Sequence, residues 1–256
     1  MKMHMLTGGR LRMRKSTYFP GTDRSEMIEL PVSCILLRHA QGNVLFDTGC
    51  HPSIAENPEP RWGGMSKFMI PIMAPDDNVL TALNRIGLEP DDVDIVICSH
   101  LHPDHCGCNA FFRKATVMVH ACELEAAKAP EAEAVRAGYL RADWDHPIPA
   151  IKIVDGQTDV MGDGRIVLLP LPGHTPGMMG ALVTLHNSGE YLLASDALSI
   201  RENLDSDIIP RNTWNAERCA QSFAEIRRIE AAGAMIICGH DAAQWHALKK
   251  GPHAYD

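Results

Sequence analysis

Apolar residues along this chain fall in short runs rather than long stretches. Residues 31–39 and 44–47 are β-rich runs parted by Gln41, Gly42 and Asn43, a hairpin-like turn. Residues 65–74 are apolar but broken by Pro71, which suits neither a helix nor a central strand. Asp76, Asp77 and Asn78 can cap a helix with Val79, Leu80, Leu83 and Ile86 at helical spacing, ended by Gly87. Residues 93–98 form a strand that runs straight into a histidine-rich loop. Residues 116–120 predict another strand, and 121–129 a helix. Three more strands are expected at 165–171, 178–185 and 191–195. Residues 216–232 carry Phe223, Ile226 and Ile229 on one helical face, and 235–238 form a last strand. With helices available to cover sheets in both halves, the pattern predicts a layered α/β domain spanning residues 1–256.

Composition narrows the classes. The chain has 256 residues, 24 Lys+Arg against 32 Asp+Glu, and so carries no basic excess for binding nucleic acid. No apolar run approaches the roughly 20 residues of a membrane span. The first 15 residues are basic but lack an apolar core, so they read neither as a secretory signal nor as an anchor. The eight Cys form no CxxC pair and sit in apolar stretches, as reduced buried thiols do. These features together predict a cytoplasmic protein. The unusual feature is 13 His against 14 aromatic residues.

Three of those histidines share one loop. Ser99-His100-Leu101-His102-Pro103-Asp104-His105 packs three imidazoles and a carboxylate directly after a strand. Nitrogen and oxygen ligands are the set of a catalytic zinc-type site, whereas thiolates would suggest a closed structural one. In an extended segment His100 and His102 project to one side and can grip one ion. The turn at Pro103 re-aims the chain, so Asp104 and His105 can reach another. His174, Asp196 and His240 each close a strand-like run beside Gly or small residues, where a loop can present a ligand from a sheet edge. Five His and two Asp are too many for one catalytic ion, which takes about three protein ligands. They suit two ions sharing a carboxylate. Cys106 and Cys108 lie close by, but the His/Asp set is complete without them.

This pattern resembles the metallo-β-lactamase superfamily: His100-x-His102-x-Asp104-His105, then His174, Asp196 and His240, with Asp47-Thr48-Gly49 resembling its early Asp-Thr-Gly element. The intervals of 22 residues from His174 to Asp196 and 44 from there to His240 are most similar to the N-acyl-homoserine lactone lactonases. Leu30-Pro31-Val32, Arg61-Trp62-Gly63-Gly64 and the C-terminal Gly239-His240-Asp241 resemble that branch too. The resemblance implies a four-layer αββα sandwich with the ions at one edge between the sheets. It implies that His100, His102 and His174 hold one ion, that Asp104, His105 and His240 hold the other, and that Asp196 bridges them. Asp47 would orient a ligand histidine through its other ring nitrogen. Zinc is the expected ion, with iron, manganese or cobalt also acceptable to such a site.

The implied reaction is hydrolytic opening of a lactone ring. The ion pair lowers the pKa of a shared water so that hydroxide attacks at neutral pH, and Asp104 would shuttle the proton to the leaving alkoxide. The substrate would be a small-molecule lactone, with N-acyl-homoserine lactones the class the branch suggests, and the protein a homodimer. Hydrolysis of another cyclic ester, a glyoxalase II-like thioester or a β-lactam on the same dimetal site is the alternative. The 69-residue interval from His105 to His174 leaves room for a substrate-covering insertion, which favours the lactonase reading. One position departs from the branch: its members commonly carry Tyr three residues after the bridging Asp, where this chain has Ser199, a shorter substrate-binding candidate. Met65, Phe68 and Met69 are candidates for an acyl-chain groove, since Met adapts to flexible chains.

Overall fold

The structure, a computed structural model, describes residues 1–147 and 149–256. Seven strands form the first sheet: β1 (Lys2–Arg14), β2 (Met27–His39), β3 (Gly42–Phe46), β4 (Ile70–Pro71), β5 (Ile95–Ile97), β6 (Thr116–His120) and β7 (Ala150–Val154), in the order β4-β1-β2-β3-β5-β6-β7. Five strands form the second: β8 (Thr158–Asp159), β9 (Ile166–Pro170), β10 (Met179–Leu185), β11 (Gly189–Ser195) and β12 (Met235–Cys238), in the order β12-β11-β10-β9-β8.

The period-two alternation of the strands builds four layers. Ile35 and Leu37 of β2, Phe46 of β3 and Ile97 of β5 meet Leu168, Ala181, Leu193 and Ile237 of the other sheet in one buried cluster. Their neighbours Cys34, Leu36, Val96 and Cys98 turn outward under the helix Val79–Asn84 and the segments around it. On the far side Leu192, Ala194 and Ile236 pack under Cys219, Phe223, Ile226 and Ile229 of the helix Ala216–Ala231. Strands buried on both faces explain why these runs read as continuously apolar rather than alternating. The expected αββα sandwich is therefore the observed one. No helix among the described residues is long and apolar enough to cross a membrane.

Most expected elements are present. Asn78 is the cap of its helix, accepting from the Thr81 N–H at 3.0 Å. The β2–β3 turn lies one or two residues earlier than expected, at Ala40 and Gln41, because Gly42 already pairs with His39. Residues 65–74 do form a strand, but a two-residue one at the sheet edge, where Pro71 gives up no ladder hydrogen bond inside the sheet. The long strand β1 was not predicted. Leu6 and the Gly8–Gly9 pair interrupt its alternation, and the register to β2 shifts at Thr7/Gly9.

Candidate metal centre

Five strands deliver polar residues to one edge of the sandwich. Asp47 follows β3, the histidine-rich loop follows β5, and His174, Asp196 and His240 follow β9, β11 and β12. His102 is the extended residue before a short helix, Pro103–Cys106, so the chain does turn at Pro103 between the two halves of the motif. All seven predicted His and Asp residues come together. They form three overlapping groups whose ligand atoms lie within 4.8 Å of one another: His100, His102 and His174; His100, His105 and Asp196; Asp104, His105 and His240.

Asp196 stands between the halves. Its Oδ1 lies 3.0 Å from His240 Nε2 and 3.6 Å from His105 Nε2, while Oδ2 lies 3.5 Å from His174 Nε2. Asp104 Oδ2 lies 3.6 Å from both His105 Nε2 and His240 Nε2.

The nitrogen facing away from the centre is held in four of the histidines. His105 Nδ1 donates to Asp47 Oδ2 at 2.8 Å, His240 Nδ1 to the Pro31 carbonyl at 2.9 Å, and His102 Nε2 to the Ala137 carbonyl at 2.9 Å. His100 Nδ1 lies 3.0 Å from Ser99 Oγ, which in turn is 2.8 Å from Asp47 Oδ2. With those nitrogens as donors, the inward ones are left as lone pairs. His100 Nε2 and His105 Nε2 are buried with no hydrogen-bond partner, and His174 Nε2 faces His102 Nδ1 at 3.0 Å. Converging buried lone pairs and two carboxylates fit divalent cations by donor chemistry, burial and shape.

The electrostatics of the metal-free centre point the same way. Burial, then His105 and His102, hold His100 well below the usual histidine range. Burial lowers His174 to about 3 despite the pull of Asp196. Burial also opposes charge on His105, yet Asp104, Asp47 and Asp196 outweigh it and push His105 up to about 10. The surrounding carboxylates thus favour positive charge on His105, where a cation fits. A group whose folded pKa is raised stabilises the fold fully below its unfolded value and loses that contribution as pH rises through the folded one. The metal-stripped protein should therefore lose thermal stability between pH 6.5 and about 10. An ion displaces the His105 proton, so the unfolding midpoint of the loaded protein should fall less over the same range.

Gly239 is fitted to this centre. A Cβ there would lie 2.3 Å from Asp196 Oδ1 and 2.9 Å from the Ser195 carbonyl. Gly239→Ala should displace Asp196 and weaken ion binding about 10–100-fold, measured by competition with a chromogenic chelator.

The centre opens on a cleft of about 1140 Å³, with Met65, Phe68 and Met69 on its wall alongside His102 and His174. Tyr139, Leu140 and residues 211–214 line it too; sequence reasoning missed these because no local pattern links them to the motif. Arg61 pins the wall, donating through Nε to the buried Asp143 at 2.6 Å. Ser199 is buried and absent from the cleft lining; its carbonyl accepts from the His240 N–H at 2.8 Å. Burial pushes the Cys106 and Cys108 thiols up, so both stay neutral. The most informative omissions are Ser99 and Ser195. Both donate to Asp47 Oδ2, at 2.8 and 3.1 Å. A serine at the end of an apolar strand beside a ligand was the available signal.

Known proteins share this architecture. Residues 27–240 match the metallo-beta-lactamase superfamily model. The N-acyl homoserine lactonase AttM of Azorhizobium caulinodans is 31% identical over 261 residues, covering 100% of this chain and 99% of its own. An N-acyl homoserine lactonase from a Bacillus species is 32% identical over 254 residues, covering 98% and 97%. Among solved structures, an N-acyl homoserine lactone hydrolase with the product N-hexanoyl-L-homoserine at its catalytic metal center superposes with a TM-score of 0.88 at 30% identity, over 99% of this chain and 98% of that one. The converging nitrogen and oxygen donors, the sandwich edge that carries them and the full-length similarity agree: the chain belongs to the metallo-β-lactamase superfamily.

Proposed function

We propose that this protein is a dimetal lactone hydrolase, a single cytoplasmic domain that opens N-acyl homoserine lactones. The observation that carries the proposal is the set of converging unpartnered nitrogens and carboxylates at the base of a cleft walled by Met65, Phe68 and Met69. In this reading His100, His102 and His174 hold one ion, and Asp104, His105 and His240 the other. Asp196 would bridge them, with Oδ1 near His240 and His105 and Oδ2 near His174. Zinc is the ion of choice for such a nitrogen/oxygen set. When bound, the ions supply a nucleophile from water at neutral pH and polarise the lactone carbonyl.

The chain's own residues do the rest. Asp47 fixes the His105 ring through Nδ1. Asp104 takes the proton of the attacking water and passes it to the ring oxygen as the acyl carbon–oxygen bond breaks. The products are a carboxylate, a free hydroxyl and one proton released at neutral pH. The apolar wall accepts a flexible acyl chain, and Met side chains adapt to its length. Full-length similarity to two named N-acyl homoserine lactonases supports this substrate class.

The test is reconstitution. Metal-stripped protein titrated with zinc should gain activity on an N-acyl homoserine lactone until two equivalents are bound. Full activity at one equivalent, or none at two, would sink the proposal.

A further inference from the structure

A buried carboxylate outside the seven candidate ligands ties the backbone between two of them to the turn that carries a third. The helix Ala121–Ala127 starts directly after β6, and its cap, His120, accepts the Cys122 N–H at 3.2 Å. This start places Glu123 in the first turn with its side chain wholly buried. Its two oxygens serve different loops. Oε1 accepts the Leu101 N–H at 2.9 Å, and Oε2 accepts the Gly177 N–H at 3.0 Å. Leu101 lies between His100 and His102. Gly177 lies in the turn that carries His174. One loop comes from the first sheet and the other from the second. The contact is close enough to require glycine: a Cβ at Gly177 would lie 2.3 Å from the Glu123 backbone nitrogen.

The tie is one-sided. Its two backbone hydrogen bonds hold the segments next to His100, His102 and His174, and neither goes to Asp104, His105 or His240. We infer that Glu123 is a positioning residue that sets the spacing of the three-histidine half, so that the ion held there depends on Glu123 while its neighbour does not. This inference rests on the dimetal reading above.

Cadmium-113 bound to the full-length protein provides the test, one resonance per ion, with the three-histidine position assigned through its loss in His102→Ala. Glu123→Gln keeps the side-chain shape but turns an NH2 group toward one of the two N–H donors. The expected result is an ion affinity about 10–100-fold weaker at the three-histidine position. The second resonance should keep its position and affinity. Glu123→Asp shortens the reach by one methylene and keeps the charge. It should give a smaller loss on the same side, and it serves if the Gln variant does not fold. Equal weakening of both ions would mean that Glu123 supports the fold in general, and would overturn the inference, as would unchanged affinity at both. A wild-type protein showing only one resonance would instead overturn the dimetal reading, and this inference with it.

Discussion

Asp104→Asn should lower kcat by about 10²–10⁴-fold, the range of a lost proton transfer, while KM changes little. Asn has the size of Asp but neither its charge nor its basicity. Asp104 is buried, with Oδ2 at 3.6 Å from both His105 Nε2 and His240 Nε2, so in the proposed reading it holds an ion and is also placed to move a proton. The two roles separate in one experiment. Steady-state rates measured at rising zinc concentration distinguish a variant short of metal from one short of a base. If excess zinc restores the full wild-type kcat, Asp104 only holds the ion, and the proton path runs elsewhere.

Asp47→Ala should have the largest effect on the fold. Its carboxylate accepts from the Ser99 N–H at 2.7 Å, Ser99 Oγ at 2.8 Å, Ser195 Oγ at 3.1 Å and His105 Nδ1 at 2.8 Å. All of these groups are buried. Removing the acceptor strands several donors at once and leaves the His105 ring free to turn. Breaking a buried charged network in this way costs about 3–5 kcal/mol. Loss of the group that orients a ligand histidine weakens ion binding a further 10–100-fold or so. Urea unfolding with and without zinc measures both effects. A variant as stable as wild type, with unchanged zinc affinity, would show that Asp47 is no hub.

The parts legible in the sequence were local ones. His100, His102, Asp104 and His105 lie within six residues, and each other ligand closes an apolar run, so periodicity and residue type sufficed to find them. Chemistry limited the count: seven nitrogen and oxygen donors are too many for one catalytic zinc-type ion and suit two. What stayed hidden depends on long-range contact. Ser195 reaches Asp47 across 148 positions, and His240 leans on the Pro31 carbonyl across 209. No spacing rule encodes those encounters. Backbone acceptors such as the Ala137 carbonyl leave no mark in side-chain identity at all. Strand β1 was hidden for another reason: Met3, Met5, Leu11 and Met13 keep one parity, but Leu6, Gly8 and Gly9 interrupt the alternation, and the register shift at Thr7/Gly9 sends Met3 and Met5 into the cluster between the sheets and Leu11 into a different one.

In the proposed reading, substrate preference is set by the cleft rather than the ions. Ser199 is hydrogen-bonded through its carbonyl to the His240 N–H and is not among the lining residues, whereas Met65, Phe68 and Met69 line the cleft with His102 and His174. Shape and apolar contact from that wall would then select among acyl chains, while the centre supplies a chemistry common to any activated ester.

Acid release in a pH-stat tests the central claim most directly, because every hydrolysis of this kind liberates one proton. The zinc-loaded protein should titrate N-acyl homoserine lactones faster than thioesters or β-lactams, and more so as the acyl chain lengthens to fill the cleft. Release of acid from a thioester or a β-lactam with none from any lactone would contradict the account.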